Sequence, residues 1–139
     1  MKVPAGAAVA QTENASDIRD IRTVGIPVGD QEQALTFYLE TLGFEKRIDV
    51  PMGGGARWIE VAPPDASTTI ALIRAHGSLS PGVETGIRLT TADADAIHAQ
   101  FLAEGIDADD VLRWPGTPPM FAFRDRDGNG LEIIEDHVP

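Results

Sequence analysis

One pattern of punctuation repeats along this chain at a nearly constant offset. Asp30 stands where a helix N-cap belongs, with Gln33 three residues on as a capping-box partner, and Gly43 stands where the helix would close. Asp93 and Gly105 repeat the arrangement 63 and 62 positions later. Shared spacing of start and stop signals points to a duplicated unit.

Each copy has the same order of elements. A strand-like run at residues 21–28 precedes the first helix, whose Ala34, Leu35, Tyr38, Leu39 and Leu42 share one face. Three further runs follow at 44–50, 56–62 and 68–75, separated by Pro51-Met-Gly-Gly-Gly55 and Pro63-Pro64-Asp65. In the second copy, residues 85–91 read as a strand. A helix then turns Ile97, Phe101 and Leu102 inward, and strands follow at 110–114, 120–124 and 130–135. The predicted class is α+β: tandem βαβββ modules at 18–78 and 83–136, after a disordered leader at 1–17 that lacks apolar periodicity. One helix per four strands leaves a sheet face bare, so that face must meet its twin or line a cavity.

Composition narrows the function classes. Eleven basic against 22 acidic residues give a net charge of −11. Nucleic acid and anionic membrane are therefore poor partners, since both are held through Lys/Arg patches. No apolar run is long enough to span a bilayer, and a cytoplasmic location is the default expectation. The absence of cysteine removes disulfide and thiolate chemistry. Gly53-Gly54-Gly55 has no helix after it to present amides to a phosphate, and reads as a hairpin connection.

Ile26-Pro-Val-Gly-Asp30, Ala34, Phe37-Tyr38 and Leu42-Gly43-Phe44 resemble the opening of the vicinal oxygen chelate superfamily. That group includes glyoxalase I, bleomycin-resistance proteins and extradiol dioxygenases. Phe123-Arg-Asp125-Arg-Asp127-Gly-Asn-Gly-Leu-Glu132 is similar to its closing hairpin. The resemblance implies curved mixed sheets around a cavity, and in many members a divalent ion held by His and Glu. The equivalent positions here are Thr23, Ala71, Gly86 and Glu132, of which only Glu132 is a ligand type. One carboxylate does not recruit a divalent cation, so no metal or other cofactor is expected.

Other signals have bland explanations. His76, His98 and His137 fall in a loop, on the second helix and in the tail, away from the cavity strands. Asp125-x-Asp127-x-Asn129-Gly130 approaches a calcium-loop pattern, but strands flank it, and a hairpin turn explains the same letters. Glu132 is read either as a tentative base or holder of a cationic ligand in the cavity, or as the partner of Arg22, Arg88 or another base in an ion pair. The candidate ligand site comprises Thr23, Trp58, Arg88, Trp114, Met120 and Glu132, with the aromatics also open to a core role.

The expected function is sequestration of a small cationic or aromatic compound without a metal. The resemblance further implies an antibiotic-resistance type of protein working as a homodimer. The alternative is a glyoxalase-like lyase, isomerase or dioxygenase that uses Glu132, with or without a divalent metal.

Overall fold

The computed structural model describes residues 16–136; the predicted leader, apart from its last two residues, and the His137 tail lie outside them. Strands β1 (Thr23–Val28), β2 (Glu45–Gly53), β3 (Ala56–Ala62) and β4 (Thr69–Arg74) form one sheet in the order β1-β4-β3-β2. Strands β5 (Glu84–Thr91), β6 (Met120–Arg124) and β7 (Gly130–Glu135) form a second in the order β5-β7-β6. In each sheet the strand before the helix pairs parallel with the last strand of its module, and the remaining pairs are antiparallel.

The helices begin and end at the predicted marks. Helix α1 (Gln31–Thr36) starts with the Asp30 carboxylate accepting from the Gln33 backbone N–H at 3.0 Å, and runs on into a π-helical turn at Phe37–Thr41. Helix α2 (Ala94–Ala103) starts with Asp93 accepting from the Ala96 N–H at 3.0 Å. Gly43 and Gly105 follow with φ of 76° and 77°, a conformation that costs other residues steric strain.

Two predictions for the second module need correction. Residues 110–114 are not a strand. Within it Leu112 bridges Met120, and before it Ala108 bridges Phe123, each as an isolated pair and not as a ladder. The register slips by one residue between them, and Pro115, Pro118 and Pro119 remove the N–H groups needed to continue. Leu102, expected inside, is 54% exposed. Ala94, Ile97 and Phe101 already fill the buried stripe of α2, and Leu102 lies about 100° round the helix from Phe101.

Each sheet packs one face against its helix; the opposite face is partly open on the second sheet, while on the first its residues Glu60, Thr69 and Ala71 are buried as well. Burial in β6 and β7 alternates accordingly: Phe121, Phe123, Leu131 and Ile133 go under, while Glu132 stays on the other face. Phe101 meets Phe121 and Phe123 edge-on at 5.8 and 5.0 Å. From the first module, Ile26, Val28, Leu35, Tyr38, Ile59, Val61, Ile70 and Leu72 join the same core.

The closing hairpin fastens the modules together. Asp125 accepts from the Tyr38 hydroxyl at 2.7 Å, while Asn129, fully buried, donates to the Pro27 carbonyl at 2.8 Å and to Asp125 at 3.2 Å. The Asn129 amide oxygen accepts from the Gly82 and Val83 N–H groups at 2.9 and 3.1 Å. Every hydrogen-bonding position of that amide is taken, so the calcium-like letters serve a turn and a clamp. Burial and the neighbouring Asp125 push the Tyr38 phenol well above its ordinary range.

The outer hairpin β2–β3 is pinned by charge. Arg57 reaches Asp49 with two hydrogen bonds at 3.1 and 2.7 Å and Glu32 with one at 2.7 Å. The Arg57 hydrogen bonds hold the Asp49 carboxyl down to about 2. A carboxyl lowered on folding stabilises the fold above its unfolded value, about 3.9, and that contribution disappears as pH falls toward 2. Partial exposure limits its size to about 1 kcal/mol. The stability deficit of Asp49→Asn, measured by urea unfolding, should therefore be present at pH 6, shrink below about pH 4 and vanish only as pH falls through about 2; a deficit independent of pH would contradict this.

Candidate functional site

The open faces carry most of the chemistry, and they divide it between two pockets. On the second sheet, Glu132 pairs across the strands with Arg88 on β5 and Ala122 on β6. The Arg88 Nε lies 2.9 Å from Glu132 Oε1. That oxygen is shielded from solvent yet receives no well-aligned hydrogen bond, so the contact is an ion pair by distance rather than direction. Of the two readings of Glu132, the geometry contains the ion pair, with Arg88 as partner; Arg22 is engaged elsewhere. Met120, Glu132, Leu112 and Ala122 line a cavity of about 150 Å³.

Trp58 lies on the first sheet, in a separate cavity of about 220 Å³ with Met52, Ala56, Arg57, Ile73, Arg74 and His76. The β3–β4 ladder ends at Glu60↔Ala71, and beyond it the Gln31 side chain bonds to Arg57 on β3 and Leu72 on β4. The indole is not free to swing, because its Nε1–H donates to Glu60 Oε2 at 2.8 Å. Glu60, only 2% exposed, also accepts from the Thr69 hydroxyl at 2.8 Å and pairs with Arg22 at 3.4 Å. Burial raises this carboxyl, but the Trp58 and Thr69 hydrogen bonds and the Arg22 charge outweigh it and hold it below the usual range.

The six sequence candidates thus do not converge within one chain. Met120, Glu132 and Arg88 come together; Trp58 stands on the other sheet. Thr23 turns its hydroxyl to the Thr69 carbonyl at 3.3 Å. Trp114 is 65% exposed in a turn closed by Thr117. Sequence reasoning missed Glu60, although a signal existed: a lone acid two residues after Trp58 in the strand Ala-Arg-Trp-Ile-Glu-Val-Ala shares the face of the indole.

The positions that hold metal in related folds present the Thr23 hydroxyl, the Ala71 methyl, the Gly86 backbone and a Glu132 already paired with Arg88. That donor set does not fit a divalent ion, and among the described residues no group of three or more His, Cys, Asp or Glu is arranged to hold one. His98 contacts the Asp109 carbonyl at 2.9 Å and lies edge-on to Phe121, while His76 borders the Trp58 cavity. Among the described residues, no helix is long and apolar enough to cross a membrane.

Comparison with known proteins agrees with this architecture. Residues 20–133 match the model of the Glyoxalase/Bleomycin resistance protein/Dioxygenase superfamily. Uncharacterized protein YetH of Bacillus subtilis is 32% identical over 122 residues, covering 85% of this chain and 99% of its own length. TnmS3, an antibiotic binding protein from Streptomyces sp. CB03234, is 34% identical with a TM-score of 0.76, over 86% of this chain and 98% of that one. A superfamily member from Sphaerobacter thermophilus is 34% identical with a TM-score of 0.79 over the same shares. With the mixed sheets, the parallel pairing in each module and this match along most of its length, the chain belongs to the glyoxalase/bleomycin resistance protein/dioxygenase superfamily.

Proposed function

We propose that this protein binds and sequesters a small aromatic compound without the help of a metal ion. The observation that carries this reading is the Trp58 indole, locked by a buried carboxylate beside a largely apolar cavity. A fixed aromatic face offers stacking area without an ordering cost at the moment of binding. The donor set at Thr23, Ala71, Gly86 and Glu132 supports metal independence, and the antibiotic-binding character of TnmS3 supports a small-molecule ligand. Glu132 is read as an ion pair that shapes the second pocket, not as a base.

The working unit in this proposal is a homodimer. Val50, Met52, Leu112 and Trp114 are each roughly half exposed or more, an amount of bare apolar surface that a second copy would cover. The Trp58 face of one copy would then meet the Met120–Glu132 face of the other.

A thermal-shift screen of one- to three-ring aromatic compounds should yield binders that raise the melting temperature in a saturable way. Elemental analysis of protein purified without chelator should find less than one divalent ion per ten chains. Stoichiometric zinc, iron, nickel or manganese, or a screen without a single shift, would overturn the proposal.

A further inference from the structure

The Trp58 cavity has a basic rim that its walls do not need. Three arginines or histidines border it: Arg57, Arg74 and His76. Arg57 is committed, with Asp49 and Glu32 occupying its guanidinium. Arg74 is not. Its guanidinium donates to the Gly54 carbonyl at 3.2 Å and has no carboxylate within ion-pair distance among the described residues. Acids outnumber bases two to one in this chain, 22 against 11, and most of its arginines have taken an acidic partner. Asp30 and Glu32 even share a neighbouring hollow with Arg74 without pairing to it. A guanidinium that presents five N–H donors and spends one on a backbone carbonyl retains the fork that suits a planar anion.

The remaining wall places that fork beside an aromatic surface. Trp58, Met52 and Ile73 supply the apolar side, and His76 stands beside Arg74 at the end of β4. His76 is held there by reciprocal backbone hydrogen bonds with Leu79 at 3.0 and 2.8 Å. We infer that this cavity selects a planar aromatic acid: a one- or two-ring compound stacked on Trp58 with a carboxylate or similar anion received by Arg74 and His76. The volume, about 220 Å³, suits a molecule of that size rather than a large natural product held whole by one chain. This inference rests on the small-molecule reading above and specifies its ligand. It also departs from the cationic half of the cationic-or-aromatic expectation, because the local rim is basic where the chain as a whole is acidic.

The test uses three shape-matched probes, 2-naphthoate, 2-naphthamide and 2-naphthylmethylammonium, titrated calorimetrically into the full chain and into Arg74→Gln and Trp58→Leu. The acid should bind roughly tenfold or more tightly than the amide, as a charge-assisted pair implies, and the ammonium ion should bind least. Arg74→Gln should erase the preference for acid over amide while leaving amide binding in place. Trp58→Leu should weaken both. Equal affinities for acid and amide, or an acid preference that survives Arg74→Gln, would overturn the inference and leave the small-molecule reading standing. If no probe binds while compounds from the thermal screen do, the acid assignment falls alone. If neither probes nor screen compounds bind, both fall together.

Discussion

Asn129→Leu is expected to lower the unfolding free energy by about 3–5 kcal/mol, enough to drop the melting temperature by roughly 10 °C or more. The size follows from what the amide does. It donates to the Pro27 carbonyl and to Asp125, and accepts from Gly82 and Val83, all at one fully buried position. Leucine matches the volume but strands those partners, and each buried group left unpaired carries a desolvation penalty of about 1–3 kcal/mol. The loss also reaches Asp125, whose buried carboxylate would keep Tyr38 and two backbone N–H groups but lose its amide donor. Asn129→Asp should be as damaging, because it places a second carboxylate against Asp125 and removes the donor to Pro27. Chemical unfolding of both variants checks this; a loss under 1 kcal/mol would show that the hairpin is not the clamp between modules.

Phe123→Ala should cost a comparable 3–5 kcal/mol, by a different mechanism. Phe123 is fully buried and meets Phe101 edge-on at 5.0 Å, so truncation opens a cavity where β6, β7 and α2 come together. Trp114→Ala makes the contrast. That larger ring is 65% exposed in one chain, and at protein concentrations low enough to keep the chain monomeric its removal should change stability by no more than about 0.5 kcal/mol. Thermal unfolding of the two variants side by side decides the matter: similar losses would mean that Trp114 is packed in a way its exposure does not reveal.

The same two aromatic residues show how far sequence reading reaches. Both lie in apolar stretches near prolines or strands, and composition does not separate them. Alternation does so for Phe123, since Phe121 and Phe123 flank the small Ala122 in a period of two. Trp114 sits where prolines interrupt any period. The predicted strand at 110–114 failed for that reason: apolar letters were present, but the backbone N–H groups and the register needed for a ladder were not. Leu102 is exposed for a simpler reason: the buried stripe of α2 is one residue narrower than its run of apolar letters.

The candidate site was legible only in outline. The family resemblance implied Thr23, Ala71, Gly86 and Glu132, with Thr23 and Gly86 fixed by counting back from the capping aspartates, and the poverty of that donor set needs no coordinates. The pairing of Glu132 with Arg88 rather than Arg22 does need them. So does the network on Glu60, which draws Arg22, Trp58 and Thr69 from three strands onto one carboxylate.

Elements of this protein that depend on near neighbours in the chain were determined by sequence alone: the Asp30 and Asp93 caps, the Gly43 and Gly105 stops and the glycine hairpin. A capping carboxylate reaches an N–H three residues away, and a left-handed turn needs only a missing Cβ, so both are settled within a few residues. Tertiary structure decided which polar groups meet across long separations: Asn129 with Pro27, Tyr38 with Asp125, Trp58 with a carboxylate tied to Arg22, and Arg74 with the Gly54 carbonyl but, among the described residues, with no carboxylate. The reason is that a buried donor or acceptor must find a partner wherever the packed sheets bring one, and no local rule names that partner in advance.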